Sequence, residues 1–139
     1  MSLLVLDTDL LSLFQRGHPS VVSRCQSHPP NALAVTIITV EEQLSGWYTL
    51  LRKATRPEQL PAVYARLQTN VQFFSAVTIL PFSAQAADRY RDLLKDKLGV
   101  GRMDLRIASV VLEHSATLVT RNRRDFGRVP GLTIEDWTT

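Results

Sequence analysis

Hydrophobic residues occur along this chain in two patterns, short continuous runs and stripes with helical spacing. The continuous runs predict buried strands, because a strand covered on both faces of a sheet carries apolar side chains on both faces. The predicted strands cover residues 3–6, 33–38, 77–80, 117–120 and 132–134. Between them, apolar residues recur every three or four positions, which predicts amphipathic helices. The alternation predicts an α/β fold, with helices on both faces of a mostly parallel sheet of about five strands.

Polar residues mark the starts of the predicted helices. Thr39 is a suitable N-cap for a helix that runs to about Lys53, and Glu42 lies at its capping-box position. Ser83 can cap a later helix. A strongly amphipathic helix begins at Asp104 and continues to about residue 113.

Length and composition indicate one globular domain, which we expect to span residues 1–139. Hydrophobic residues make up 45% of the chain, enough for a substantial core. No apolar run approaches the roughly 18 residues of a membrane span, and no basic segment precedes the first run. The single cysteine, Cys25, excludes an internal disulfide framework. We therefore expect a soluble, cytoplasmic protein without membrane association, in which Cys25, Trp47 and Trp137 pack in the interior.

Arginine dominates the positive charge of the chain, with 13 arginines against three lysines in a net charge of +3. The planar guanidinium group suits phosphate recognition better than an ammonium group does. These arginines favour a polyanionic ligand, although a solvated basic face would have the same composition. Four of the arginines lie close together in one segment, namely Arg121, Arg123, Arg124 and Arg128. Two more, Arg102 and Arg106, flank Asp104.

Acidic residues follow the predicted strands at points that a parallel sheet brings together. Asp7 ends the first strand, and Glu42 lies about one turn into the helix after the second. Asp104 begins a helix that leads directly into the fourth strand and is therefore antiparallel to it. Asn122 and Asp125 follow that strand. Because the carboxyl ends of parallel strands share one edge, we expect these residues to meet in one crevice.

Four carboxylates in one crevice repel one another, and their pKa values rise unless cations neutralise them. Oxygen ligands without histidine or cysteine are typical of Mg²⁺ or Mn²⁺ sites. With arginines around the crevice, the chemistry that these groups predict is metal-assisted hydrolysis of a phosphodiester.

Each carboxylate also has a purely structural interpretation. Asp7 or Asp9 could cap the first helix, and Glu42 could only complete a capping box. Asp104 could stabilise the first turn of its helix, and Asp125 could pair with a neighbouring arginine. None of these roles explains why all four acids lie at the same edge.

Four segments resemble the motifs of the PIN-domain ribonucleases, and in particular the VapC-type toxins of toxin and antitoxin pairs. They are VLDTD at 5–9, TVEEQLSG at 39–46, GRMDLRIAS at 101–109 and LVTRNRRDFGRVPGLTIEDW at 118–137. The resemblance extends over nearly the whole chain. It implies a single PIN domain with a three-layer α/β/α fold.

The resemblance also implies a role for each acid. Asp7 resembles the first metal-binding acid, Glu42 the acid of the second motif, and Asp104 the central metal ligand. Family members place the fourth acid either at the position of Asn122 or at that of Asp125. We assign it to Asp125, with Asn122 holding a metal-bound water or a phosphate.

Two positions depart from the family pattern. Asp9 stands where asparagine or serine is more common, and it either adds a ligand or caps the first helix. Gln43 stands where an apolar residue is usual. Supporting or substrate-binding roles are assigned to Thr8, Asp9, Thr120, Asn122, Arg123 and Arg124.

The activity implied by the resemblance is that of an endoribonuclease dependent on Mg²⁺ or Mn²⁺. It further implies a homodimer, a cognate antitoxin that blocks the site, and contact with DNA only through that antitoxin. Structured RNA, often tRNA, is a frequent substrate of such toxins. The alternatives are a non-catalytic RNA-binding module and a nuclease without an antitoxin. A phosphoaspartyl receiver is disfavoured, because no lysine follows Lys97.

Overall fold

Five short strands form one sheet in the computed structural model, which describes residues 2–139. The strands are β1 (Leu4–Leu6), β2 (Leu33–Thr36), β3 (Ile79–Leu80), β4 (Thr117–Val119) and β5 (Thr133–Glu135). All four pairings are parallel, and the strand order is β3-β2-β1-β4-β5. The order reverses between β1 and β4, so the crevice beyond their carboxyl ends is the expected ligand site of the sheet.

Helices connect these strands and cover both faces of the sheet. They are α1 (Thr8–Gln15), α2 (Pro19–Gln26), α3 (Ile37–Lys53), α4 (Leu60–Phe74), α5 (Ala84–Lys95), α6 (Arg102–Glu113) and α7 (Arg123–Phe126). Short 3₁₀ turns at Pro30–Ala32 and Pro57–Gln59 precede β2 and α4. Within residues 2–139, no helix is both long and apolar enough to cross a membrane.

The core consists of two apolar layers, one on each side of the sheet. Val5 points into the layer formed with α5 and α6, whereas Leu4 and Leu6 point into the layer formed with α1, α2 and the end of α4. This alternation follows from the pleat of the strand, which turns successive side chains to opposite faces. The predicted three-layer α/β/α fold around a five-stranded sheet is therefore confirmed, and the sheet is entirely parallel.

The start of α3 differs from the prediction. Strand β2 ends at Thr36, and the Thr36 hydroxyl accepts a hydrogen bond from the Thr39 backbone nitrogen at 3.3 Å. Thr36 is thus the N-cap, and the prediction that Thr39 caps this helix is wrong. The apolar run 33–38 does not reveal where β2 ends and α3 begins, because Ile37 and Ile38 are β-branched and fit a strand as well as a helix. Glu42 consequently lies in the second turn of α3, beyond the reach of a capping box.

Other predictions about packing are confirmed. Cys25 is buried, and Trp137 is fully buried and stacked on His28 with ring centroids 5.2 Å apart. Ser83 caps α5 by accepting from the backbone nitrogen of Ala86 at 3.1 Å. Trp47 is different, because it is only half-buried and borders open grooves.

Candidate active site

Asp7 lies at the switch point of the sheet and is almost fully buried, with 5% of its surface exposed. Its Oδ1 accepts from the backbone nitrogen of Leu10 at 2.8 Å, so it caps α1. Its Oδ2 accepts from the Thr120 hydroxyl at 2.6 Å. Capping and membership of the acidic crevice are therefore compatible, because each role uses a different oxygen.

Burial raises the pKa of the Asp7 carboxyl from 3.8 to about 6. The hydrogen bonds from Thr120 and Leu10 favour the charged form and oppose this rise, whereas the charges of Asp9 and Asp104 add to it. Ionisation of the Asp7 carboxyl therefore lowers the stability of the folded protein, and a cation bound beside it would reduce this cost.

Thr120 links Asp7 to the segment after β4. Its hydroxyl donates to Asp7 and accepts from the backbone nitrogen of Asn122 at 3.0 Å. The hydroxyl proton is therefore directed at the carboxylate, because the oxygen already receives a proton from the backbone. Thr120 is fully buried, which holds this orientation.

Replacing Thr120 by valine is expected to raise the pKa of Asp7 further, by about one unit. The reason is that a hydrogen bond to a charged group contributes about 1.5–3 kcal/mol, and one pKa unit corresponds to about 1.4 kcal/mol. The titration of the Asp7 carboxyl carbon by NMR measures this change. Thr117→Val, in β4, is the matched control and should leave the Asp7 pKa unchanged; an equal shift in both variants would contradict the role of the Thr120 hydroxyl.

Glu42 is positioned by two threonines. Thr8 donates to Glu42 Oε1 at 2.6 Å, and Thr39 Oγ1 lies 2.9 Å from Thr8 Oγ1. Because the single proton of Thr8 is given to Glu42, the Thr39 hydroxyl donates to Thr8. Thr39 is fully buried. The sequence analysis missed its hydrogen bond to Thr8, because the sequence pattern assigned Thr39 to the N-cap of the helix.

Asp104 lies in the first turn of α6 and faces the other acids. Burial raises the pKa of its carboxyl, and the charges of Glu42 and Asp125 raise it further. It also contributes to the raised pKa of Asp7. Asp104 therefore lies close enough to Asp7, Glu42 and Asp125 for their charges to interact, as expected for acids at one edge of the sheet.

Asp125 and Asn122 form one unit at the start of α7. The Asn122 amide accepts from the Asp125 backbone nitrogen and donates to Asp125 Oδ2, both at 3.2 Å. No ion pair joins Asp125 to an arginine in the described part of the chain. Asn122 therefore caps α7 and orients Asp125, because its side-chain amide already donates to the Asp125 carboxylate.

Asp9 turns away from the acidic crevice to Arg121. The guanidinium group donates from Nε to Asp9 Oδ2 at 2.7 Å and from Nη2 to Oδ1 at 3.1 Å. This two-point ion pair joins the first turn of α1 to the segment after β4, and both side chains are about half exposed. Asp7 rather than Asp9 caps the first helix. Arg123 and Arg124 are exposed on α7 beside this pair.

The donor set of the crevice fits a hydrated divalent cation. Its ligand atoms are carboxylate oxygens, and burial, with a smaller contribution from neighbouring charges, raises the pKa values of Asp7 and Asp104, so a bound cation would favour their charged forms. From residue 2 to residue 139, no three acidic, histidine or cysteine side chains are already grouped closely enough to hold an ion. Mg²⁺ needs no such cage, because it keeps several waters and binds one or two carboxylates.

Comparisons with known proteins identify the family of this chain. A model of the PIN domain matches residues 4–132. The Rickettsia felis protein Ribonuclease VapC2 is 32% identical to this chain over 77% of the chain and 75% of that protein. The tRNA(fMet)-specific endonuclease VapC of Salmonella typhimurium is 27% identical, with 96% of each chain covered.

Structural similarity extends over the same length. The crystal structure of DNA-bound VapBC from Salmonella typhimurium superposes with a TM-score of 0.76 and 26% sequence identity, covering 99% of each chain. Both the PIN-domain model and this structure match nearly the complete chain. The chain therefore belongs to the PIN-domain family, as a VapC-type member.

Proposed function

We propose that this chain is a divalent-metal-dependent endoribonuclease and the toxin of a toxin–antitoxin pair. The observation that carries the proposal is the convergence of four acids from separate segments, with raised pKa values at Asp7 and Asp104. Relatives named as VapC ribonucleases support the reaction. A non-catalytic RNA-binding module would not need to retain this costly group of charges.

Asp7 and Asp104 would hold the Mg²⁺ or Mn²⁺, with Glu42 and Asp125 as the further acids of the site. A bound divalent ion lowers the pKa of a water and stabilises negative charge on a phosphate. The protein contributes orientation. Thr120 and the backbone of Leu10 fix the two oxygens of Asp7, Thr8 fixes Glu42, and the amide of Asn122 fixes Asp125. Such outer contacts hold carboxylates in a binding geometry.

The proposed substrate is RNA, held by its phosphates at the exposed Arg123 and Arg124. A relative named as a tRNA(fMet)-specific endonuclease makes tRNA the first structured RNA to test. The solved DNA-bound VapBC complexes support a cognate antitoxin as partner. We further propose that this chain contacts DNA only through the antitoxin and acts as a cytoplasmic homodimer. Co-purification of the product of an adjacent reading frame tests the antitoxin, and a nuclease that needs none would purify alone.

Metal removal tests the reaction directly. Purified protein is expected to cleave tRNA in the presence of Mg²⁺ or Mn²⁺, to lose this activity in excess EDTA, and to regain it when the metal is restored. Gel analysis of end-labelled RNA measures the cleavage, with DNA of the same sequence as the control substrate. Cleavage that persists unchanged in EDTA would contradict the metal-dependent mechanism.

A further inference from the structure

A groove of about 550 Å³ leads away from Glu42 and Thr8 between α1, α3 and α4. A second stretch of about 450 Å³ continues it, since Gln15, Trp47, Arg66 and Asn70 border both. The groove therefore begins at Glu42, which is one of the four acids of the candidate site.

A network of hydrogen-bonded amides lines this groove. Gln43 Oε1 accepts from Asn70 at 2.9 Å and from Gln15 at 3.2 Å. Gln43 Nε2 donates to Gln15 at 2.8 Å and to Ser12 at 3.3 Å. All four hydrogen-bonding positions of Gln43 are thus used, which fixes its orientation. This explains why an amide replaces the apolar residue usual at this position.

Asn70 presents unused hydrogen-bonding capacity. It is buried, with 7% of its surface exposed, and its Oδ1 accepts from the Trp47 indole nitrogen at 3.3 Å. One N–H and one lone pair of the amide remain without a partner among the described residues. An amide with a free donor and a free acceptor can read the edge of a nucleobase, as amides do with adenine.

Charge favours an anionic occupant. Apart from Glu42, the lining contains no acid, whereas Arg16 and Arg66 both border the groove. Neither arginine forms an ion pair within residues 2–139. The half-buried indole of Trp47 borders the same groove as both arginines and the amides, and its nitrogen donates to Asn70.

We propose that this groove is a nucleotide subsite, which binds the RNA nucleotide next to the scissile phosphate. The base stacks on Trp47, its edge meets Asn70, and the flanking phosphates lie at Arg16 and Arg66. The proposal rests on the proposed RNA cleavage and assigns a specificity-determining role to residues outside the acidic crevice. Stacking on an aromatic side chain together with a basic groove is how proteins hold single-stranded RNA.

Binding without cleavage provides the first test. A six-nucleotide RNA is titrated into the protein in EDTA while tryptophan fluorescence is recorded. Trp137 is fully buried, so quenching would come from Trp47. The affinity of each variant is measured separately by the fluorescence anisotropy of a dye-labelled six-nucleotide RNA, and Trp47→Leu is expected to bind about tenfold more weakly than the wild type. Tyr48→Leu, an exposed aromatic on the same helix outside the groove, should behave as wild type.

Substrates with one base removed at a time provide the second test. A single abasic position beside the cut should lower kcat/KM of the wild type to that of Trp47→Leu, and should have no further effect in the variant. Arg66→Ala, at an exposed position, should reduce the slope of log affinity against log salt by about 0.7. This second variant keeps the proposal testable if Trp47→Leu does not fold.

Several results would overturn the subsite. These are equal RNA binding by Trp47→Leu and wild type, equal abasic effects in both proteins, or a change confined to self-association or to antitoxin binding. RNA cleavage without tryptophan quenching would reject the subsite and retain the proposed function. Quenching without cleavage under any metal would retain the subsite and reject the proposed function.

Discussion

Replacing Asp104 by asparagine is expected to reduce RNA cleavage by more than about a hundredfold, since even the loss of an outer contact to a metal site costs ten- to hundredfold. The fold should be unaffected, because no side chain of the described residues donates a hydrogen bond to Asp104 and its carboxyl is only half-buried. The substitution removes a charge that raises the pKa of Asp7, and it leaves the apolar contacts of α6 in place.

The measurement is the single-turnover cleavage rate of RNA with Mg²⁺, together with the urea midpoint of unfolding. Asp88→Asn is the control, since Asp88 is an exposed acid on α5 that pairs only with Arg91. The control should retain full activity. Wild-type cleavage by Asp104→Asn, with a normal unfolding midpoint, would reject Asp104 as a metal ligand.

Replacing Asp7 by asparagine is expected to increase the stability of the metal-free protein above pH 6. The pKa of Asp7 is about 6 in the folded protein and 3.8 in the unfolded chain. As the pH rises from 3.8 to 6, the unfolded chain loses its proton first, so the free energy of unfolding falls. A difference of two pKa units corresponds to roughly 3 kcal/mol, and the loss is complete above pH 6.

Asparagine avoids this loss because it stays neutral at every pH. Its oxygen can still accept from the Leu10 backbone, which preserves the cap of α1, and its amide can donate to Thr120. Urea unfolding between pH 4 and pH 8 in EDTA measures the effect. The wild type should lose stability over this range relative to the variant. Parallel pH profiles of the two proteins would show that Asp7 is not a buried charge.

Mg²⁺ distinguishes this site from an ordinary buried acid. A cation that binds the charged carboxylate stabilises the folded state by mass action. The same titration repeated with Mg²⁺ at pH 8 should therefore raise the unfolding midpoint of the wild type more than that of Asp7→Asn.

Much of the architecture and the acidic crevice follows from local information in the sequence. Short continuous apolar runs favour strands covered on both faces, and such strands are typical of parallel sheets whose strands are joined by helices. Once the strands are parallel, chain direction alone assigns Asp7, Asp104 and Asp125 to the same edge. Helix boundaries are less certain, because β-branched residues such as Ile37 fit either element, and only the hydroxyl of Thr36 marks the start of α3.

The tertiary structure decided the partner of each polar side chain. Asp9 pairs with Arg121 across 112 positions of sequence, and Thr120 reaches Asp7 across 113. Neither pairing has a local signature, because it depends on which strand lies beside β1. Trp47, which the sequence predicted to pack in the interior, is instead half-buried and borders the groove between α1, α3 and α4. The sequence by itself determined which residues reach the crevice; only the packing of distant segments decided how they are oriented there, because hydrogen-bond partners are set by distance in space.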